Sequence, residues 1–167
     1  MKNVIIAGYG TFITDALETI SDDMTAKQYY WDVKVKGFSE VKGWKRILLP
    51  RDTHPYIIKD SNSSVLMLVT ETNKKNLKLI DDAEGYPYHY DRITVDTEFG
   101  EAFVYVPRDH VLETIMKRLE ECDIKEDEWL NWISRSVRHN KTAMKIFPEL
   151  LDIGEPIDDR VIGDKEL

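Results

Sequence analysis

Residues 65–86 of the 167-residue chain read VLMLVTETNKKNLKLIDDAEGY and change periodicity halfway along. The first five residues are uninterrupted hydrophobes, which is typical of a strand that is buried on both faces. Thr72 or Asn73 can cap a helix that follows. A spacing of three between apolar residues predicts one helix face from about Lys74 to Ala83, formed by Leu77, Ile80 and Ala83. Gly85 then ends the helix.

The segments before this stretch have the signals of strands. Residues 4–7 form a short apolar run that ends at Gly8, and residues 29–49 alternate in strand fashion with turn signals at Gly37 and Gly43. Residues 56–59 are interpreted as another strand, and the polar residues 60–64 as a turn.

The segments after it contain first strands and then helices. Residues 92–97 and 102–106 predict a hairpin. From Asp109 the spacing becomes helical, with apolar residues four apart at Val111, Ile115 and Leu119. A further helix is expected over residues 126–143. Because the strands come first and the helices follow, the pattern favours one α+β domain over residues 1–153, with helices over 109–153 and a loosely packed acidic tail over 154–167.

Composition excludes several classes of protein. Hydrophobic residues make up 42% and the net charge is −8, so nucleic-acid or anionic-lipid binding is not expected. The longest apolar runs are far shorter than the roughly 20 residues that span a bilayer. The lone Cys122 cannot form an intrachain disulfide, and the four histidines lack metal-ligand spacing. We therefore expect a cytoplasmic protein without a bound metal.

The Gly8-Tyr9-Gly10-Thr11 loop follows the first strand, where a dinucleotide-binding loop is a possible reading. That fingerprint needs a third glycine three residues after the second, and Ile13 stands there instead. Two interpretations remain. The loop is either a tight turn with a packed tyrosine, or a concavity of backbone N–H groups that binds an anion or oxyanion.

Glu84 stands at the predicted end of the helix. The negative end of the helix dipole and the nearby Asp81 are both expected to raise the pKa of its carboxyl group. A carboxyl group with a raised pKa is suited to general acid–base catalysis near neutral pH. Charge composition alone is equally consistent with an ordinary exposed acid at a helix end.

Four motifs occur in order between residues 3 and 107: Tyr9-Gly10-Thr11-Phe12, Ile80-Asp81-Asp82-Ala83-Glu84-Gly85, Tyr90-Asp91-Arg92 and Ala102-Phe103-Val104-Tyr105-Val106. Together they resemble the γ-glutamylcyclotransferase-like family. The resemblance implies a mixed, barrel-like β-sheet with flanking helices.

The resemblance also implies an activity, the cyclisation of a γ-glutamyl amide to 5-oxoproline with release of an amine and without a cofactor. Glu84 would be the catalytic acid–base. The backbone of Gly10, Thr11 and Phe12 would bind the substrate, and Tyr9 and Tyr90 would shape the pocket. One alternative is a non-catalytic member of the same fold that binds a small ligand or a protein partner. Another is a different acyl-group or amide-cleaving enzyme that uses the same glutamate. The sequence leaves the oligomeric state open.

Overall fold

A computed structural model describes residues 3–10, 12–13, 16, 33–49, 54–121 and 145. The elements with both ends in these ranges are β1 (Val4–Gly8), β2 (Lys34–Ile47), β3 (Tyr56–Thr72), α1 (Lys74–Glu84), β4 (Tyr90–Thr97), β5 (Gly100–Pro107) and α2 (Asp109–Glu120). The helix expected over residues 126–143 and the tail over 154–167 lie outside the described residues. No helix in the described part of the chain is long and apolar enough to cross a membrane.

The five strands form one mixed sheet in the order β2-β3-β1-β5-β4. β1 lies at the centre, antiparallel to β3 and parallel to β5, where Ile6 is opposite Phe103. Across the described residues no ladder joins the edge strands β2 and β4, so the sheet is open and the expected barrel-like closure is not confirmed. The sheet nevertheless curls enough to bring its two edges into contact at one point. There the backbone N–H of Glu98 in the β4–β5 turn donates to Ser39 Oγ on β2 at 3.0 Å.

The turns predicted inside the β2 and β3 regions are wrong. β2 continues through Gly37 and Gly43, which have φ values of 145° and 91° and lie where the register with β3 shifts. The polar residues 60–64 lie within β3, where Asp60 accepts hydrogen bonds from Asn62 N and Ser63 Oγ. Glycine and polar residues here mark bulges, because a bulge uses the same backbone conformations as a turn.

Helix α1 begins and ends as its sequence indicates. The Asn73 side chain accepts a hydrogen bond from Asn76 N at 2.9 Å and caps the first turn. Gly85 has φ +76°, the left-handed conformation that glycine adopts readily. The predicted apolar face is only partly right, since Ile80 is buried whereas Ala83 is exposed. A helix has 3.6 residues per turn, so a residue three positions after Ile80 has not yet completed a turn. Glu84, four positions after Ile80, lies closer to the covered side than Ala83 does.

The two faces of the sheet carry separate apolar clusters. α1 covers the face that includes Ile6, Leu68 and Tyr105, while the concave face carries Ala7, Met67 and Val104. Successive residues on a strand point to opposite faces, which explains this division. Helix α2 packs at one end of β2 and β3, where buried Ile115 and half-buried Val111 and Leu119 confirm its predicted stripe.

Candidate active site

The loop that follows β1 is held in place through two groups of Tyr9, its hydroxyl group and its backbone carbonyl. The Tyr9 hydroxyl donates to the backbone carbonyl of Tyr105 at 2.8 Å. The Tyr9 carbonyl accepts from Arg46 Nη1 at 2.7 Å, and that nitrogen also donates to Leu66 O at 3.3 Å. Arg46 is 4% exposed, so its guanidinium group fixes the loop from inside the protein. Its place in a lysine-rich stretch of the sequence gives no indication of this burial.

Gly10 has no room for a side chain. A β-carbon at this position would meet Cγ and Cδ of Pro55 at 2.9 Å. The Gly10 carbonyl accepts from Ile13 N at 2.9 Å, so the loop turns immediately into helical backbone at Phe12 and Ile13. The Phe12 side chain is buried in the core beneath α1, and only its backbone can serve a ligand. Thr11 lies outside the described residues.

Glu84 is the last residue of α1 and is half-buried. Its charge contributes to raised pKa values at two phenols, Tyr9 and Tyr105, so its carboxyl group lies within electrostatic range of the loop after β1 and of β5. Tyr90, half-buried at the start of β4, also acts on Tyr9. The structure therefore brings Tyr9, Glu84 and Tyr90 into one neighbourhood.

Burial is the main reason that both phenols resist ionisation. It raises the pKa of Tyr9 well above its ordinary value, with further contributions from Tyr90, Glu84 and Tyr56. Burial also raises the pKa of Tyr105, and the hydrogen bond to Asp81 adds to the increase. Both groups keep their protons at neutral pH, and both protons are used in hydrogen bonds within the protein.

Asp81 anchors the end of α1 to the two neighbouring strands. Its Oδ1 accepts from the Tyr105 hydroxyl at 2.6 Å, and its Oδ2 forms a hydrogen-bonded ion pair with Arg92 Nη1. The Arg92 guanidinium group lies 4.7 Å from the ring centroids of Tyr86 and of Phe103. Asp81, Arg92 and Tyr105 are hereafter the clamp. Because Glu84 follows Asp81 by one turn, the clamp fixes where Glu84 lies.

The clamp was not predicted as part of the site. Its three residues belong to three of the four motifs, but Asp81 was interpreted only as a charge that repels Glu84. The order of the motifs contains the missing signal, since an acid one turn before the helix end precedes an arginine on the next strand. Opposite charges at those positions are suited to pair when the helix folds back on the strand.

The described residues contain no group of three or more His, Cys, Asp or Glu side chains placed to hold a metal ion. The rings of His89 and His110 approach to 5.8 Å between centroids without a third candidate ligand in that part of the chain. What the site offers chemically is a half-buried carboxyl group beside a glycine loop and two protonated phenols. A carboxyl group within hydrogen-bond reach of a substrate can accept and donate protons.

Comparisons with known proteins agree on one fold. The family model described as "Gamma-glutamyl cyclotransferase, AIG2-like" matches residues 8–131. A search of curated proteins finds no match. Among solved structures, a gamma-glutamyl cyclotransferase has a TM-score of 0.50 at 11% identity, with 99% of each chain covered. An AIG2-like protein from Mus musculus has a TM-score of 0.50 at 16% identity, with 67% of this chain and 84% of that one covered.

A protein from Arabidopsis thaliana has a TM-score of 0.52 at 19% identity, with 91% of this chain and 84% of that one covered. All three structures are less than 25% identical to this chain, and therefore their similarity bears on the fold alone. The family match rests on the sequence and includes the loop after β1, Glu84 and the clamp.

Proposed function

The chain belongs to the gamma-glutamyl cyclotransferase, AIG2-like family, and from that membership we propose that it cyclises a γ-glutamyl amide to 5-oxoproline and releases an amine. The observation that carries the proposal is the position of Glu84. A half-buried carboxyl group at the end of α1 acts electrostatically on Tyr9, the residue that opens the glycine loop. The proposal assigns proton transfer to Glu84.

The reaction is an intramolecular aminolysis, in which water is neither consumed nor released. The α-amino nitrogen of the γ-glutamyl unit attacks the side-chain amide carbonyl, and the new C–N bond closes the five-membered ring. Glu84 accepts the proton that the attacking nitrogen loses. The original amide C–N bond then breaks, and Glu84 returns the proton to the departing amine nitrogen.

The protein's other contribution is to hold the substrate folded. An intramolecular attack gains most from a geometry in which the reacting atoms are already close. The backbone after Gly10 is proposed to bind the substrate's carboxylate or the oxyanion that develops on the carbonyl. Tyr9 acts on this loop indirectly, since its hydroxyl group is already bonded to Tyr105 O.

The direct test is to incubate the protein with γ-glutamyl dipeptides, glutathione and γ-glutamyl amines and to measure 5-oxoproline. Glu84→Gln keeps the shape of the side chain and removes its ability to accept a proton. We expect it to lower kcat by about 10²- to 10⁴-fold, the usual contribution of a general acid–base. Asp82→Asn, an exposed acid two residues earlier, is the matched control and should retain activity.

Circular dichroism should show that both variants are folded. A kcat of Glu84→Gln within about tenfold of the wild-type value would contradict the role of Glu84. Absence of 5-oxoproline from every substrate would contradict the activity itself. In that case, thermal stabilisation by a small acidic ligand would support a binding protein of the same fold instead.

A further inference from the structure

A cavity of ≈ 610 Å³ lies on the concave side of the sheet, between β2 and β3 on one side and β4, β5 and α2 on the other. Its described lining includes Trp44, Lys59, Asp91, Ile93, Val106 and Arg108. Among the described residues, none of the candidate active-site residues contributes to this lining. On β4, Asp91 and Ile93 face the cavity, whereas their neighbours Tyr90 and Arg92 belong to the active-site side.

The body of the cavity is apolar and has the size of a small-molecule site. Ligand sites in proteins commonly enclose about 300–1,000 Å³ and combine hydrophobic walls with a few polar groups. Trp44, Ile93 and Val106 are half-buried here, and the Met116 side chain on α2 is 40% exposed. An apolar molecular body would remove these side chains from water.

The charged groups of the cavity indicate which headgroup it suits. The two acids in its described lining are already stabilised, because Asp91 Oδ1 accepts the backbone N–H of Arg92 at 2.8 Å and Asp109 occupies the first turn of α2. The two cations among the described lining residues, Lys59 and Arg108, have unused hydrogen-bonding capacity. In the part of the chain that the structure describes, no carboxylate lies within 4.0 Å of the Lys59 ammonium group.

Arg108 is the stronger of the two cationic groups. Its Nη2 is 3.6 Å from Asp91 Oδ1. The two groups form an ion pair, but this distance is too long for a hydrogen bond. Its Nε is shielded from solvent and has no hydrogen-bond partner among the described residues. A buried N–H without a partner costs free energy that an incoming acceptor would recover.

We propose that this cavity binds a small organic carboxylate with an apolar body. The carboxylate would accept hydrogen bonds from Arg108 and Lys59, and the body would lie against Trp44, Ile93 and Val106. Arginine suits this role because its planar guanidinium group presents several donors to a carboxylate at once. Tyr9 packs in the same apolar cluster as Trp44, Ile93 and Val106, but no described residue of the proposed catalytic site lines the cavity. The proposal holds whether or not the protein is an enzyme.

The test uses three probes that share one apolar body and differ in the headgroup: 4-phenylbutyrate, 4-phenylbutan-1-ol and 4-phenylbutylamine. Isothermal titration calorimetry on the full chain should give binding of the carboxylate that is about tenfold or more tighter than that of the alcohol or the amine. Equal binding of the alcohol would show a non-selective apolar cavity. Tighter binding of the amine would show that the acids dominate. Either result, or no binding of the carboxylate, overturns the proposal.

Variants then locate the bound carboxylate. Arg108→Gln and Lys59→Gln should each weaken the binding of 4-phenylbutyrate. Lys78→Gln, on the exposed side of α1, should leave that binding unchanged. Lys59 is exposed, so its variant tests the proposal even if Arg108→Gln fails to fold. The probe should also change tryptophan fluorescence, and Trp44→Phe should abolish that change. Wild-type binding by Lys59→Gln together with a fluorescence change that persists in Trp44→Phe would refute the site.

Discussion

Replacing Asp81 by asparagine tests whether the clamp holds the end of α1. The substitution keeps the shape of the side chain and removes its charge. Asp81 accepts one hydrogen bond from the Tyr105 hydroxyl and one from the Arg92 guanidinium group. The side chains of Arg92 and Asp81 are only 20% and 15% exposed, so water replaces little of what is lost.

The expected magnitude follows from these two contacts. A hydrogen bond to a charged group contributes about 1.5–3 kcal/mol and a neutral one about 0.5–1.5 kcal/mol. Converting two charged bonds to neutral ones therefore lowers the free energy of unfolding by about 2–3 kcal/mol. The upper bound is about 3–5 kcal/mol, the cost of removing one partner of a buried ion pair, because the substitution also takes away the anion of Arg92.

Equilibrium unfolding in urea, followed by far-ultraviolet circular dichroism, measures this loss as a lower midpoint. Asp82→Asn is the matched control, since Asp82 is the adjacent acid and is exposed. It should change stability by less than about 0.5 kcal/mol. In an Arg92→Gln background the effect of Asp81→Asn should shrink by about 1 kcal/mol or more. Equal effects of the two asparagine variants, or no coupling to Arg92, would refute the clamp.

Two further predictions concern Tyr9, which lies in the loop after β1, and Gly85, which follows Glu84. Because the folded-state pKa of Tyr9 is raised above 10, the unfolded chain ionises first and stability falls as the pH rises past about 10, by about 1.4 kcal/mol per pH unit for this residue. Urea titrations between pH 9 and about 11 measure how steeply the free energy of unfolding falls with pH. Tyr9→Phe should make this fall less steep, whereas Tyr88→Phe, at a position 77% exposed, should not. Equal slopes in the two variants would contradict the burial of Tyr9. Gly85→Ala should lower the unfolding free energy by about 1–2 kcal/mol because φ is +76°, and Gly85→Asn should lose less because asparagine tolerates this conformation. Thermal unfolding of the two variants provides the comparison, and an alanine variant as stable as the wild type would show that the left-handed cap is not required.

The fold was predictable where local patterns and tertiary packing agree. The uninterrupted run at residues 65–69 lies in the second half of β3, and the Asn73 cap and the Gly85 stop set the ends of α1. These signals depend on backbone conformation and hydrogen bonds between neighbours in sequence. They act before distant parts of the chain meet, and therefore they can be recognised without a structure.

The errors arose where partners distant in sequence decide the outcome. Gly43 and the polar residues 60–64 have the composition of turns, but pairing along the length of β2 and β3 keeps both segments in strands. Arg46 belongs to a lysine-rich stretch, yet its guanidinium group is buried by bonds to Tyr9 and Leu66. No local pattern distinguishes it from the exposed lysines around it.

The position of Glu84 depends more on the length of α1 than on its own surroundings in sequence. Asn73 fixes where the helix begins and Gly85 fixes where it ends, so the number of residues between them sets the rotation at which Glu84 emerges. Asn76 and Ile80 are buried at four-residue intervals before it, and the same interval brings Glu84 toward the sheet. Asp81 then ties the last turn to β4 and β5. A one-residue insertion in α1 would rotate Glu84 by about 100° relative to the cap, which is why a helix-end acid that composition cannot single out is nevertheless held in one place.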